Sequence, residues 1–111
     1  MKISELIKGA QLQLLTKGGY QDRDVTGCYI GDLLSWVMGR ANTGDVWITI
    51  MSNVNVVAVA SMTDCACVLL AEDVMPEQEV IDKANAQNIV LLRSSKSCYQ
   101  LAVEVHKLTA L

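Results

Sequence analysis

The chain has 111 residues and a formal net charge of −3, with 51% hydrophobic and 19% charged residues. This length fits one domain, and this balance supplies enough apolar side chains for a core and argues against global disorder. The nine lysines and arginines form no dense stripe and aromatic residues make up only 5%, so a nucleic-acid groove or base-stacking platform is not expected.

The sequence favours a cytoplasmic protein with no membrane association. No apolar run approaches the roughly 20 residues that span a bilayer. The first eight residues include Glu5, where a signal peptide needs an unbroken apolar stretch. The cysteines lie in apolar runs and are expected to be buried structural thiols. The C-x-C spacing of Cys65 and Cys67 predicts that both face one side of a strand, with a two-cysteine metal clip as the alternative.

The first part of the chain predicts two short helices with strands between them. Apolar residues at helical spacing from Ile3 to Ile7 predict a helix that Gly9 ends. Residues 12–15 and 25–30 are each expected to be extended. Asp32 is expected to cap the next helix at its N-terminus. The apolar stripe predicted for that helix consists of Ile30, Leu33, Leu34, Val37 and Met38.

The two strongest strand predictions lie in the middle of the chain. The runs DVWITIM, from Asp45 to Met51, and CACVLLA, from Cys65 to Ala71, are apolar almost throughout, which is typical of strands buried on both faces of a parallel sheet. Parallel neighbours need a crossover of a dozen or so residues, and the segment from Ser52 to Asp64 has thirteen. Its valines are strand-like. A third strand would leave no connector, however, and Asn53 is a good N-cap, so we predict a buried helix.

The last third predicts helix, strand and helix. Pro76 followed by two glutamates marks a helix start, because acids favour the positive end of the helix dipole. Residues 88–92 predict a strand, and Ser95 or Ser97 is expected to cap the last helix. The alternation of strand and helix predicts an α/β fold with a mostly parallel sheet of four or five strands and helices on both faces.

Catalytic motifs are absent from the sequence. Neither G-x-x-x-x-G-K-[ST] nor G-x-G-x-x-G occurs, so no phosphate loop is expected. The one histidine, His106, lies near the end of the last predicted helix, where a favourable dipole contact is its ordinary role. We therefore expect no catalytic residue, no cofactor and no resident metal.

A ligand site is expected beyond the carboxyl ends of the strands, where open parallel sheets bind their ligands. Three segments follow predicted strands: Met51–Asn53, Ala71–Asp73 and Arg93–Lys96. The first opens a helix, whose free backbone N–H groups favour an anion. The third places two cations beside hydroxyl groups, which suits a phosphate or a carboxylate. The candidate ligand-binding residues are Ser52, Asn53, Glu72, Asp73, Arg93, Ser94, Ser95 and Lys96.

Two alternatives to an anion site stay open. Each of the three segments also has the composition of a solvated loop with capping residues. Glu72 and Asp73 would repel an anion unless Arg93, Lys96 or a metal ion compensated. A hard cation such as Mg²⁺ between the carboxylates is therefore the second alternative.

The stretch from Val25 to Val105 resembles the DRTGG-domain family and the related N-terminal domain of HPr kinase/phosphorylases. The pattern consists of VTGCYIGDLLSWVMGR, DVWITIMSN, the thirteen-residue crossover, CACVLLAED, the PEQEV helix start and NIVLLRS before a final helix. The resemblance implies a single regulatory domain over residues 1–111 that forms homodimers. Relatives accompany CBS domains in regulated pyrophosphatases, where the regulatory region binds an adenine nucleotide. Kinase activity is not implied, because no phosphate loop follows.

The signature of that family is altered in this sequence. The resemblance places an Asp-Arg pair at Ser52-Asn53 and Thr-Gly-Gly at Ala71-Glu72-Asp73. It therefore implies a regulatory fold in which an arginine has been lost and two glycines have been replaced by acids.

The leading functional hypothesis is a non-catalytic regulatory or ligand-sensing homodimer that binds a nucleotide, another small anionic metabolite or a protein partner. Trp36 and Met38 are candidates for its interface, with the core as their alternative location. A protein–protein adaptor without a small ligand is the alternative. A metal-assisted enzyme that uses Glu72 and Asp73, or Arg93 and Lys96, on a phosphorylated substrate is less favoured because no distinctive general base is visible.

Overall fold

The computed structural model describes residues 1–109, and the last two positions of the predicted 1–111 domain lie outside the described residues. Its helices are α1 (Ile3–Gly9), α2 (Leu34–Arg40), α3 (Val54–Thr63), α4 (Gln78–Ala86) and α5 (Cys98–Thr109). Its strands are β1 (Gln13–Leu14), β2 (Gly27–Ile30), β3 (Asp45–Thr49), β4 (Cys67–Leu70) and β5 (Leu91–Arg93). No helix among these is long and apolar enough to cross a bilayer.

The strands form one sheet in the order β1-β5-β4-β3-β2. Strands β2 to β5 are parallel to their neighbours, and β1 pairs antiparallel with β5. This confirms the predicted α/β fold with a mostly parallel sheet. The carboxyl ends of the four parallel strands therefore lie along a single edge, which we call the carboxyl edge.

Helices cover both faces of the sheet. On one face, α1 and α5 pack against alternate residues of the central strands, such as Ile48 and Leu69. On the other face, α2, α3 and α4 pack around Trp47 and Val68. Every residue of β3 and β4 is buried, as predicted from their apolar sequences.

The valine-rich crossover is a helix, as predicted. The Asn53 side chain caps α3 by accepting a hydrogen bond of 2.9 Å from the Asn55 N–H. At the other end, Asp64 adopts a left-handed conformation with φ of 55°. Burial of Val56, Val57 and other residues beneath the helix outweighs the modest cost of β-branched residues in helical conformation.

The structure corrects two details of the predicted helix ends. The first helix ends at Gly9, as predicted, but Gly9 is its last residue rather than the residue just past its end, and Ala10 is the C-cap. Asp32 does not cap α2, because Leu33 is at the N-cap position and makes no side-chain capping bond. The Asp32 carboxylate instead binds the end of β3.

The apolar stripe predicted for α2 is only partly buried. Val37 is fully buried and Leu34 is half-buried, but Ile30, Leu33 and Met38 are exposed. Trp36 is also exposed, so its predicted alternative location in the core is wrong. The reason is that β2 is an edge strand, and nothing in the described residues covers its outer side.

The cysteines are free thiols in different environments. Cys67 lies within β4 and packs on the face of α1 and α5. Cys65 precedes the strand and packs on the opposite face, so the prediction that the two thiols share a face is wrong. Cys28 is exposed and Cys98 half-buried, which corrects the expectation that all four are buried.

Candidate functional site

The carboxyl edge brings the second and third predicted segments into contact. The Glu72 N–H donates to the Lys96 carbonyl at 2.9 Å, and the Asp73 N–H donates to the Ser94 carbonyl at the same distance. The Ala71 N–H donates to the Thr49 carbonyl at 3.0 Å, which ties the end of β4 to the end of β3. The first segment therefore follows the neighbouring strand.

The turn after β4 holds two acidic residues in the left-handed region. Glu72 has φ of 58° and Asp73 has φ of 64°, and the Val74 N–H closes the turn on the Ala71 carbonyl at 3.2 Å. Both side chains are exposed. Positive φ favours glycine, because a Cβ clashes with the following carbonyl. These are the two positions at which the resemblance places glycines. The backbone here thus has a conformation that favours glycine, although the side chains are carboxylates.

Arg93 holds this turn through hydrogen bonds within the protein. Its guanidinium donates to the Asp73 carboxylate at 2.7 Å, to the Asp73 carbonyl at 2.9 Å and to the Val74 carbonyl at 3.0 Å. A fourth bond of 3.0 Å reaches Gln13 Oε1 in β1. Four of the five N–H donors of an arginine are thus used within the protein, which leaves little capacity to bind an external anion.

Lys96 is also directed inward. Its Nζ donates to Glu104 Oε1 at 2.7 Å and to the Ala10 carbonyl at 3.2 Å. The lysine and glutamate side chains are both about two-thirds buried, and Glu104 Oε2 is buried without a hydrogen-bond partner in the described part of the chain. Lys96 therefore fastens the loop after β5 to α1 and α5.

The serines and asparagine of the predicted site differ in their availability. Ser94 is buried, and its Oγ accepts from the Lys96 N–H at 3.1 Å. Asn53 is used as the cap of α3. Ser52 is half-buried and Ser95 is exposed. Neither of these two serines has a hydrogen bond within residues 1–109, so their hydroxyl groups are available to a ligand.

Sequence reasoning missed a pair of polar residues at this edge. Asp32 Oδ1 accepts from Thr49 Oγ1 at 2.8 Å and from the Ile50 N–H at 3.0 Å. Thr49 Oγ1 in turn accepts from the Met51 N–H at 3.1 Å. Asp32 is exposed, and its other oxygen has no partner in the described residues. The available signal was a carboxylate directly after one strand and a threonine at the end of its neighbour.

The electrostatics of the carboxyl edge are set by acids. Burial raises the pKa of the Cys98 thiol, and the negative charges of Asp32 and Glu72 raise it further. Asp73 is neutralised by Arg93, whereas Asp32 and Glu72 have no ion pair among residues 1–109. The edge therefore offers carboxylate acceptors that suit hydroxyl, amide or amino donors.

No metal centre is evident at this edge. The described residues contain no group of three or more histidine, cysteine or acidic side chains arranged to hold a metal ion. This gives no support to a Mg²⁺ ion between Glu72 and Asp73.

A cavity of about 520 Å³ lies at the opposite edge of the sheet. The loop from Thr16 to Gln21 lines it, together with the end of α3 and the residues that lead into β5. Arg23 crosses it and donates to Asp64 Oδ1 at 3.0 Å, to the Asp64 carbonyl at 3.1 Å and to the Cys65 carbonyl at 3.1 Å. The sequence did not point to this cavity, because its lining residues carry no recognisable motif.

Comparisons with known proteins bear on the fold. No protein-family model matches the chain, and no curated protein matches it in sequence. A solved structure of the CBS and DRTGG domains of the regulatory region of Clostridium perfringens pyrophosphatase, complexed with the activator diadenosine tetraphosphate, superimposes with a TM-score of 0.74 at 9% sequence identity. The match covers 96% of this chain and 46% of that one. The chain therefore has a DRTGG-like α/β fold.

Proposed function

We propose that this protein is a non-catalytic regulatory domain that senses a small ligand at the carboxyl edge and acts as a homodimer. The observation that carries the proposal is the set of available polar groups at that edge, led by the Asp32 carboxylate bound to Thr49. Ligands of parallel α/β sheets bind at this location. The likeness to a regulatory region complexed with a nucleotide activator supports a ligand of the nucleotide class.

The charges at the edge favour a particular binding mode. Asp32 and Glu72 suit the hydroxyl groups of a ribose or the amino group of a base, because ionised carboxylates are acceptors only. A phosphate is better placed near Ser52, where the N-terminus of α3 offers backbone N–H groups and the positive end of its dipole. Arg93 and Lys96 support the site by fixing its loops rather than by binding the phosphate.

A thermal-shift screen of the intact chain tests this function. The probes are AMP, ATP, diadenosine tetraphosphate, a sugar phosphate and Mg²⁺. A ligand that binds only the folded state raises Tm, by an amount that grows with ligand concentration above Kd. We expect at least one nucleotide to do so, and we expect Asp32→Asn to weaken its binding about tenfold or more, because a charged hydrogen-bond acceptor is lost.

Asp24→Asn is the matched control, because Asp24 is an exposed acid that precedes β2 and therefore lies at the opposite, amino end of the sheet. It should bind the nucleotide like the parent chain. The absence of any shift at millimolar ligand would favour the protein–protein adaptor, which the exposed Leu33 and Trp36 side chains also suit. Turnover of a bound ligand that is lost in Glu72→Ala would instead indicate an enzyme.

A further inference from the structure

Strand β2 presents an open backbone edge. Within residues 1–109 it is the last strand of the sheet and pairs only with β3. The Gly31 N–H donates to the Ile48 carbonyl and so points toward β3. Along a strand, the backbone N–H and C=O groups of successive residues point to alternate sides. Those of Cys28 and Ile30 therefore point away from β3, to the open side of the sheet. The strand GCYI contains no charge and no proline, the usual devices that keep an edge from pairing with another chain.

Exposed apolar side chains border this edge. Ile30 is 46% exposed, Leu33 58% and Trp36 55%. The Arg40 guanidinium lies 3.7 Å from the centre of the Trp36 ring and leaves most of the indole uncovered. On the other face of the sheet, a groove of about 600 Å³ runs between β2 and α5. An apolar patch beside an unpaired strand is typical of a protein–protein contact.

Charges are distributed unequally between the two ends of β2. Asp32 follows the carboxyl end. Arg40, at the end of α2, lies toward the amino end. Asp24, which precedes β2, also lies there, but its carboxylate forms an ion pair with Lys2. Asp45 also lies there, but it is 5% exposed and its carboxylate accepts from the Asn42 N–H. At the surface, the carboxyl end therefore carries the acid Asp32, and the amino end carries Arg40, neither of which has an ion pair among residues 1–109.

We propose that the β2 edge is the homodimer interface, where it pairs antiparallel with β2 of a second copy across a two-fold axis. This inference rests on the homodimer of the proposed function and names its surface. The edge is self-complementary, as a two-fold contact requires. Antiparallel pairing sets the carboxyl end of each strand beside the amino end of the other, so Asp32 of one copy approaches Arg40 of its partner. Ile30, Leu33 and Trp36 are covered in the same contact.

The pairing has a consequence for the candidate site. Two five-stranded sheets would join into one continuous sheet, with the carboxyl edges of the two copies on opposite sides. Asp32 belongs both to the carboxyl edge and to the rim of the interface. Ligand at Asp32 would therefore change the charge balance of the dimer contact.

Sedimentation velocity over a micromolar concentration range tests the interface. Ile30→Lys places a charge at the edge without disturbing the core, because Ile30 is 46% exposed and belongs to neither core cluster. Met62→Lys makes the same change at a 71% exposed position on α3 and is the matched control. We expect the parent chain and Met62→Lys to dimerise alike, and Ile30→Lys to raise the dimer Kd about a hundredfold or more, because each contact buries an unpaired charge.

Trp36→Ser is a second test of the interface in case Ile30→Lys fails to fold, as judged by circular dichroism. It should also weaken the dimer, whereas a Kd equal to that of the parent chain would contradict the interface. If Ile30→Lys and Met62→Lys have the same dimer Kd, the protein dimerises through another surface. This result would overturn the β2 interface but not the homodimer. A parent chain that stays monomeric would remove the proposed homodimer together with its interface.

Discussion

The Glu72–Asp73 turn shows how single residues shape the carboxyl edge. Two consecutive non-glycine residues in the left-handed region are unfavourable, at about 1–2 kcal/mol each in that conformation. Three hydrogen bonds from Arg93 to Asp73 and Val74 hold the turn in place. Strain of this kind collects at functional sites, which agrees with the position of the turn beside the candidate site.

Replacing Glu72 by glycine should stabilise the fold. Glycine adopts φ of 58° without strain, and we expect the free energy of unfolding to rise by about 0.5–1 kcal/mol after the added flexibility of the unfolded chain is counted. Urea denaturation measures this change. In contrast, Glu79→Gly within α4 should lower the free energy of unfolding by about 1 kcal/mol. Equal destabilisation by both substitutions would mean that the Glu72 backbone is not strained.

The buried thiols are expected to be unreactive. Burial raises the pKa of Cys65 to about 11, although a hydrogen bond from Thr63 and the Arg23 charge oppose the shift. Burial also raises the pKa of Cys67 far above its ordinary value. Since the thiolate is the reactive form, these cysteines suit a structural role as small apolar side chains.

The sequence predicted which residues follow the strands at the carboxyl edge, but not which residues of the protein Arg93 and Lys96 contact. Arg93 and Lys96 are engaged by Gln13, Glu104 and the Ala10 carbonyl, and the two contacts at the start of the chain are 80 and 86 positions away. Sequence patterns report local periodicity and carry no information on such distant partners. The same limit hid Asp32, whose role depends on Thr49, 17 residues away.

Among the elements, α3 best shows topology deciding between two local preferences. Its valines favour a strand, but two parallel strands need a connection that crosses a face of the sheet. Burial of Val56 and Val57 and the Asn53 cap complete the helix. The length of the crossover was therefore a better predictor than residue propensity.

The Asn53 cap makes a measurable contribution to α3. Asn53→Ala removes the acceptor for the Asn55 N–H, and we expect it to lower the free energy of unfolding by about 1 kcal/mol. Asn55→Ala is the control, because it leaves the cap in place and puts a better helix former in the first turn. Chemical denaturation distinguishes the two variants. A loss in Asn55→Ala as large as that in Asn53→Ala would contradict the capping role.

The elements at the edge of the sheet were less predictable than those at its centre. Strands β3 and β4 were evident from their apolar runs because both faces are covered. The stripe on α2 correctly indicated a helix but overstated its burial. Periodicity shows which residues share a helix face, but it does not show whether a neighbouring element covers that face.

At the scale of the whole molecule, the parallel sheet and its two helical layers follow from the alternation of strands and helices. The strand order and the antiparallel pairing of β1 with β5 do not follow from the sequence. The strand order and this pairing depend on which edge strands of the sheet are still unpaired after the crossover helices have packed. The open β2 edge, which carries the proposed dimer, is therefore a property of the assembled sheet and not of any segment.

The location of the ligand site can be mapped by ¹H–¹⁵N NMR with a bound nucleotide. Diadenosine tetraphosphate or AMP is titrated into the isotope-labelled chain, with the response compared in Asp32→Asn. We expect amide shifts to cluster at Asp32, Ile50, Ser52 and Glu72 along the carboxyl edge and to weaken in the variant. Shifts confined to the cavity around Arg23 at the opposite edge, or none at millimolar nucleotide, would contradict a ligand-sensing site at the carboxyl edge.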